Sequence, residues 1–266
     1  MPRLDWSDLN TGDFAALAGR APVALVPVGA IEQHGPHLPL STDAVLAEAV
    51  ACRAATLASA CVLKLPVVSV GKSDEHLSFP GTLSLDAATL GAVLGQIGRS
   101  VARSGVGRIV FLNAHGGNLP VLQTVVRALR REAGMFAVAA GWMSMGYPEG
   151  LIPAEEIAEG IHGGLVETAA MLHLRPDLVA MEKARHFVPT SAAVARDNRV
   201  LRLLGPVGAG WVIEDLHPEG ACGNAAMATA ELGAALIGHA AQRYALLLDE
   251  VAAHPLPGDG RAGALP

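Results

Sequence analysis

Short apolar runs rich in β-branched residues recur along the chain, separated by longer segments rich in alanine. The runs are VALVPVG, VLKLPVVSV, RIVFLNA and FAVAAGW, at residues 23–29, 62–70, 108–114 and 136–142. Continuous apolar runs without polar alternation are typical of strands that are buried on both faces of a sheet. We therefore predict that each run forms a buried strand.

The segments between these runs have the residue spacing of helices. Helices are predicted over residues 44–58, 86–103 and 119–131. In the last of them, Leu122, Val125 and Leu129 share one stripe, and arginines lie at its end, as in an amphipathic helix packed on a core. The alternation of strand and helix predicts an α/β fold with three α/β/α layers, in which helices cover both faces of a mostly parallel sheet.

The second half of the chain has a less regular pattern. A long loop or short helices are predicted over residues 146–160, a helix over 165–174 that ends before Pro176, and a helix over 225–252. Residues 188–220 fit no element well, and the tail from about residue 253 to 266 is expected to fray. Because no repeat or break in composition appears, we predict a single domain over residues 1–266.

Composition and charge exclude several classes of function. The chain is 51% hydrophobic and 17% charged, and its net charge of -6 comes without any basic stripe, so nucleic acid is not an expected partner. Three cysteines without C-x-x-C spacing argue against a disulfide framework and favour a reducing compartment. With neither a secretory signal pattern at the start nor a window of about 18 apolar residues, we predict a cytoplasmic protein that does not enter a membrane.

The first polar cluster lies in the stretch VGAIEQHGPHLPLSTD, directly after a predicted strand. Glu32 and His34 are two residues apart, so an extended backbone points both side chains the same way, and the pair can chelate a metal. Asp43 begins the next predicted helix, where a carboxylate can bridge two cations or, as the better interpretation of this residue alone, cap the helix. His37, between prolines, is interpreted as an exposed loop histidine or as a residue that binds substrate.

The second cluster is LNAHGGNLP, again between a strand and a helix. His115 can ligate a metal at the strand end. Gly116 and Gly117 let the backbone approach a substrate or offer N–H groups to an anion. For Asn118 we prefer the role of helix N-cap.

Two further clusters supply other candidates. In IHGGLVETAAMLHL, Glu167 falls in the first turn of an apolar helix, as a ligand or a helix-dipole partner, and His162 precedes it as a candidate general acid or base. His173, later in that helix, is interpreted as a packed or surface residue. In GKSDEHLSFPGTLSL, His76 is a candidate for substrate binding, while Asp74 and Glu75 are explained as solvated charge.

Two histidines and three carboxylates are thus predicted at the carboxyl edge of one parallel sheet, which is where such sheets bind ligands. This is the ligand inventory of a two-metal hydrolytic site, and an oxygen and nitrogen set without cysteine suits Zn, Mn or Fe. A metal there would hold a hydroxide at neutral pH.

The motifs resemble those of the creatininase (creatinine amidohydrolase) family. The matching pieces are PVGAIEQHGPHLPLSTD, SDEHLSFPGTLSL, LNAHGGN, HGGLVETAAMLHLRPDLV and EGACGNAAMATAELG, in order over residues 22–244. The resemblance implies a three-layer α/β/α metallohydrolase that splits C–N bonds with two divalent metals, zinc first among them, and that assembles as a homo-oligomer, often a hexamer. It also implies that Glu32, His34, Asp43, His115 and Glu167 are metal ligands, with Asp43 as the bridge, and that His162 is catalytic.

Two departures from the creatinine-cleaving members bear on the substrate. Those enzymes carry a glutamate where this chain has Gly117, and they cover the creatinine ring with tryptophans, of which this chain has only Trp142 and Trp211 beyond Trp6. Relatives with the HGGN form include formamide hydrolases and a peptidase for a redox-cofactor precursor. We therefore expect a metal-bridging hydroxide to cleave a small cyclic amide or formamide. A metallopeptidase that trims a small peptide or cofactor precursor, and a ligand-binding protein without catalysis, are the alternatives.

Overall fold

A computed structural model describes residues 4–17, 19–205 and 207–256 of the protein. The strands are β1 (Leu4–Asp5), β2 (Val23–Val28), β3 (Val62–Lys64), β4 (Arg108–Asn113), β5 (Phe136–Gly141), β6 (His186–Phe187) and β7 (Gly223–Asn224). The α-helices are α1 (Asp13–Ala16), α2 (Thr42–Leu57), α3 (Ala87–Arg103), α4 (Leu119–Ala133), α5 (Ala154–Glu159), α6 (Leu165–Leu174), α7 (Thr190–Asp197), α8 (Ile213–Leu216) and α9 (Ala230–Ala253).

The main sheet is parallel, as the apolar runs predicted. Within the described residues it has five strands in the order β1-β3-β2-β4-β5, and every neighbouring pair is parallel. A separate antiparallel pair joins β6 to β7. The central pair, β2 and β4, runs in register from Val23 opposite Arg108 to Val28 opposite Asn113, so both strands end at the same level.

Alternate residues of the central strands enter two different cores. Val23 and Leu25 of β2 belong to one apolar cluster with residues of α2, α6 and α9. Ala24 and Val26 belong to a second cluster, which contains residues of α3 and α4. Because successive side chains of a strand point to opposite faces, helices cover the sheet on both sides. The predicted three-layer α/β/α fold is confirmed.

Several predicted boundaries are wrong. The run at residues 62–70 pairs only over Val62–Lys64 and then through an isolated bridge at Val68, since Pro66 has no N–H to donate to a ladder. The helix predicted from residue 225 begins at Ala230, after a 3₁₀ turn, where the Thr229 hydroxyl accepts a hydrogen bond from the Leu232 amide.

Short helices occupy the regions with irregular patterns. The segment at residues 146–160, predicted to be a long loop or short helices, contains α5, and residues 188–220, which fitted no element, contain α7 and α8. Most of the predicted frayed tail, residues 257–266, lies outside the described residues. In the described part of the chain, no helix combines the length and the apolar character needed to span a bilayer.

The strand order creates a switch point between β2 and β4. The chain leaving β2 passes through α2 to β3 on one side, whereas the chain leaving β4 passes through α4 to β5 on the other side. Ligands of open α/β sheets bind at the carboxyl ends of the two strands where the connections diverge. The polar clusters that follow β2 and β4 therefore lie at the expected position for a site.

Candidate metal centre

The segment after β2 brings Glu32 and His34 inward. The amide of Glu32 donates to the Leu40 carbonyl at 2.9 Å, and Gly35, at φ 67°, turns the chain back through a conformation that favours glycine. His34 Nδ1–H donates to the Glu32 carbonyl at 3.1 Å, which leaves Nε2 as the ring nitrogen that faces the neighbouring carboxylates.

Asp43 lies in the first turn of α2 but does not cap it, so the preferred interpretation of this residue is wrong. The N-cap position is Ser41, and α2 has no side-chain capping bond. The carboxylate is buried instead, with Oδ1 at 3.1 Å from His34 Nε2 and Oδ2 at 3.4 Å from His115 Nδ1. One carboxylate thus faces two histidines from two different strand ends.

His115 is held by one hydrogen bond to its backbone and one from its ring. Asn113 Nδ2 donates to the His115 carbonyl at 2.6 Å, and His115 Nε2–H donates to the Lys72 carbonyl at 2.8 Å. The remaining nitrogen, Nδ1, lies 3.2 Å from Glu32 Oε2. Nδ1 therefore faces the carboxylates, and it is the nitrogen that a metal ligand held by an outer hydrogen bond would use.

Asn118 occupies the N-cap position of α4, as predicted, but its side chain makes no capping bond there. Its Oδ1 accepts from the Lys72 amide at 2.9 Å, and its Nδ2 donates to the Gly29 carbonyl at 3.0 Å and to Asn113 Oδ1 at 3.1 Å. Asn118 therefore ties the ends of β2 and β4 to the loop at residue 72. The tie explains why the candidate ligands of the two strands meet.

Glu167 approaches from the opposite side, in the first turn of α6. Its Oε2 accepts from the Gly163 amide at 2.6 Å and lies 3.9 Å from His34 Nε2. His162 precedes this helix and is held by a bridge to Cys222, whose amide donates to the His162 carbonyl at 2.7 Å. The helix start thus delivers a carboxylate and a histidine to the same cluster.

The cluster has the properties of a cation site. Both Glu32 oxygens and Asp43 Oδ2 are buried without a hydrogen-bond partner, a costly state for a carboxylate unless a cation compensates it. When all three carboxylates are ionised, the two histidines that face them leave one negative charge uncompensated even if both rings are protonated. Within the described residues, Glu32, Asp43 and His115 form one group of possible metal donors. These buried carboxylate and imidazole donors therefore fit a divalent metal ion.

The protonation states reflect the same excess of negative charge. Burial alone would lower the pKa of His34, but Asp43, Glu167 and Glu32 raise it to about 10. Burial alone would raise the pKa of Glu32, but His115 lowers it to about 2. For Glu167 burial prevails and raises its pKa to about 7. The protons on the histidines thus occupy the positions that cations would take.

His162 and His76 form a second layer around Glu32. His162 Nδ1 lies 3.6 Å and His76 Nε2 lies 3.4 Å from Glu32 Oε1, and the two rings stack with their centroids 4.3 Å apart. Burial lowers the pKa of His76 to about 4 and that of His162 well below its usual value. Both rings are therefore neutral at pH 7, as a proton acceptor must be.

His37 is not among the possible metal donors found in the described residues, and its interpretation as an exposed loop residue is wrong. It is 1% exposed, hydrogen-bonds to the Thr168 hydroxyl at 2.9 Å and stacks on Phe187 at 5.4 Å. Gly116 is exposed, and a side chain there would meet no neighbour within 4 Å. The substrate-binding roles of His37 and Gly116 stay predictions.

Glu75, predicted from the sequence to be a solvated charge, lies next to Gly117. The Glu75 side chain is only 14% exposed, and its Oε1 lies 3.5 Å from His115 Nε2. A Cβ at Gly117 would lie 2.5 Å from that same oxygen and 2.5 Å from His115 Nε2, and would also collide with the Lys72 carbonyl, so no side chain fits at Gly117 unless the backbone moves. The separation of 42 residues between Glu75 and Gly117 hid this relation from the sequence.

The donor set at the switch point suits a divalent metal, and comparison with known proteins places the chain among metal-binding hydrolases. The family model Creatininase, described as creatinine amidohydrolase, matches residues 7–248. A mycofactocin precursor peptide peptidase of Mycolicibacterium smegmatis is 39% identical over 181 residues, which cover 66% of this chain and 68% of that protein. A creatinine amidohydrolase of Pseudomonas putida is 35% identical over 208 residues, or 71% and 76% of the two chains. The chain belongs to the creatininase family of hydrolases.

Solved creatininase structures share the fold over nearly their whole length. A creatinine amidohydrolase (creatininase) structure has a TM-score of 0.75 at 28% identity and covers 96% of this chain and 100% of its own. A manganese creatininase has a TM-score of 0.76 at 26% identity, with coverage of 94% and 98%. A creatininase variant of the Zn-Zn type has a TM-score of 0.75 at 27% identity and the same coverage. The last two structures are named for manganese and zinc, which the present donor set also suits.

Proposed function

We propose that the protein is a metal-dependent amidohydrolase that cleaves a C–N bond of a small substrate with two divalent cations, zinc or manganese. The observation that carries the proposal is the position of Asp43, whose two oxygens each face a different histidine. A bridging carboxylate of this kind is what two adjacent cations require. The metals named for related creatininases support the choice of cation.

In this proposal Glu32, Asp43 and His115 would hold one cation, and His34, Asp43 and Glu167 would hold the other. Bound divalent metal lowers the pKa of water and polarises a carbonyl oxygen. His162 is neutral and aims Nδ1 at Glu32 Oε1 from 3.6 Å, so this nitrogen is placed to take the proton of the attacking water and pass it to the leaving nitrogen. The burial of the whole cluster excludes bulk water from this transfer.

A second candidate is the trimming of a short peptide, and two observations favour it over creatinine cleavage. The relative named as a precursor peptide peptidase is 39% identical, against 35% for the creatinine amidohydrolase. Trp142, one of the few aromatic residues available to cover a small ring, is only 2% exposed and packs in the core beside α2 and α9. We therefore place creatinine last among the amides to be tested.

The test couples metal analysis to turnover. Purified protein is assayed for zinc and manganese and then incubated with cyclic amides including creatinine, with formamides and with short peptides. We expect about two divalent ions per chain and hydrolysis of one amide class. Protein that binds metal and hydrolyses none of these classes would contradict the proposal and favour a ligand-binding role.

His115→Ala serves as the inactive variant and His173→Ala as its matched control. His173 lies near the end of α6, away from the cluster. We expect metal and hydrolysis to disappear together in the first variant and to be retained in the second. Full metal content in His115→Ala would refute the ligand assignment.

A further inference from the structure

Gln33, between the candidate ligands Glu32 and His34, is buried and has every hydrogen-bonding atom engaged. Its Oε1 accepts from the Gly35 amide at 2.9 Å, and its Nε2 donates to the Gly220 carbonyl at 2.9 Å. An amide N–H only donates and a backbone carbonyl only accepts. These two backbone partners therefore fix which end of the Gln33 side chain is oxygen and which is nitrogen.

This orientation determines the tautomer of His76. Gln33 Nε2 has a second N–H, and His76 Nδ1 lies 2.7 Å from it. Since the Gln33 nitrogen donates, His76 Nδ1 must accept, and the neutral ring carries its proton on Nε2. That nitrogen points toward Glu32 Oε1 at 3.4 Å. Although Glu32, His76 and His162 have the spacing of a metal group, a protonated Nε2 cannot be a ligand.

The same residue determines the tautomer of His162 through its backbone. The Gln33 carbonyl lies 2.7 Å from His162 Nε2 and can only accept. His162 Nε2 therefore carries the ring proton, and Nδ1 presents its lone pair toward Glu32 Oε1. The 3.2 Å approach of the Gln33 amide nitrogen to His162 Nε2 joins two nitrogens that both carry hydrogen, so it supplies no competing bond.

We infer that Gln33 is a positioning residue that gives the two stacked histidines opposite roles: His76 donates an N–H to the substrate carbonyl oxygen, while His162 accepts a proton beside it. The first role is that of an oxyanion donor, whose hydrogen bond strengthens as the carbonyl oxygen becomes negative. The second is the proton transfer of the proposed function, on which this inference rests. No proton has to leave His76 at any step.

The decisive experiment observes the tautomers directly in protein loaded with zinc, which is diamagnetic, and labelled with ¹⁵N-histidine. Long-range ¹H–¹⁵N correlation distinguishes protonated from unprotonated ring nitrogens, and His76→Leu and His162→Asn assign the signals. We expect both rings to be protonated at Nε2. A His76 ring that is protonated at Nδ1, or a third zinc ion bound through His76, would overturn the inference whether or not the protein turns over any amide.

Substitution of Gln33 tests its positioning role. In Gln33→Glu the carboxylate can only accept, so the His76 proton is expected to move to Nδ1 and kcat to fall about 10²-fold, as for loss of an oxyanion donor, with KM little changed. Gln123→Glu, on the exposed face of α4, makes the same charge change and is expected to retain wild-type kcat and tautomers.

The two histidine substitutions complete the test. His76→Gln keeps an N–H donor and is expected to retain more kcat than His76→Leu. Equal kcat in these two variants, or an unmoved His76 proton in Gln33→Glu with its zinc content intact, would refute the inference. Correct tautomers together with no hydrolysis of any amide would refute the proposed function instead, because the zinc-loaded protein reports the hydrogen bonds without turnover.

Discussion

Glu156 and Glu32 are both almost fully buried, and they differ in what their carboxylates contact. Glu156 of α5 is 7% exposed, and its two oxygens accept hydrogen bonds from the backbone amides of Leu165 and Asn224 at 2.6 and 2.8 Å. Glu32 is 0% exposed, and neither of its oxygens has a hydrogen-bond partner. Both carboxylates are therefore buried, but only that of Glu156 has hydrogen-bond donors for its oxygens.

The difference separates a structural carboxylate from a candidate ligand. Glu156 connects the start of α6 to β7 and completes the hydrogen bonding of both, as buried polar groups generally require. Glu32 faces His115, His76 and His162 across distances of 3.2 to 3.6 Å, which leaves a cation to complete its environment.

The largest effect is expected from Glu32→Ala. Loss of this carboxylate removes a ligand, and metal centres contribute several kcal/mol to the stabilisation of the transition state, so turnover should fall by at least about 10³-fold. Metal content should fall with it, as measured by elemental analysis. Glu155→Ala, an exposed neighbour of Glu156 on α5, is the control and should retain both. Wild-type turnover in Glu32→Ala would show that Glu32, like Glu156, is not a metal ligand.

The second effect is expected in stability rather than in chemistry. Glu156→Ala leaves the buried Leu165 amide and the partly buried Asn224 amide without acceptors, at about 1–3 kcal/mol each, so the free energy of unfolding should fall by about 2–6 kcal/mol in urea denaturation. Metal content per folded chain should equal that of the wild type. If Glu156→Ala lost its metal and kept its stability, Glu156 would belong to the site.

The third prediction concerns removal of the metal. At a metal concentration of 100 times Kd, binding adds about 2.7 kcal/mol to stability, and a chelator should withdraw this amount and lower Tm. The shift should be the same in Glu156→Ala as in the wild type and absent in Glu32→Ala. An equal chelator shift in all three proteins would show that the metal binds elsewhere.

The sequence predicted the elements whose signal is local. The apolar runs that became β2, β4 and β5, and the helix over residues 165–174, agree with the structure closely. Strand ends that precede polar clusters also indicated where Glu32, His34 and His115 would meet, because parallel strands share one carboxyl edge. These inferences needed only periodicity and the strand–helix order.

The sequence could not predict relations between residues far apart in the chain. Asparagine is a residue type that commonly caps helices, yet the Asn118 side chain donates a hydrogen bond to the Gly29 carbonyl, which is 89 residues away. The hydrogen bonds of Gln33 could not be predicted, because its partners His76 and Gly220 are 43 and 187 residues away in the chain. Side-chain preferences describe local alternatives, and the tertiary contact decides among them.

The smallest effect is expected at Glu167, which combines the two kinds of carboxylate. Its Oε2 accepts from the Gly163 amide, as Glu156 accepts from the backbone, and the same oxygen faces His34 at 3.9 Å, as Glu32 faces its histidines. Glu167→Gln keeps an acceptor for the Gly163 amide but removes the negative charge. Stability without metal should therefore stay close to that of the wild type.

Metal affinity is the property that this substitution should change. A neutral amide oxygen is a weaker ligand for a divalent cation than a carboxylate, and we expect a loss of about 10-fold, which is about 1.4 kcal/mol. Competition with a metal-sensitive dye measures it, and Glu155→Gln, at an exposed glutamate of α5, is the control that makes the same charge change. An affinity unchanged in Glu167→Gln, with stability reduced as in Glu156→Ala, would assign Glu167 to the helix start alone, because only its bond to Gly163 would then matter.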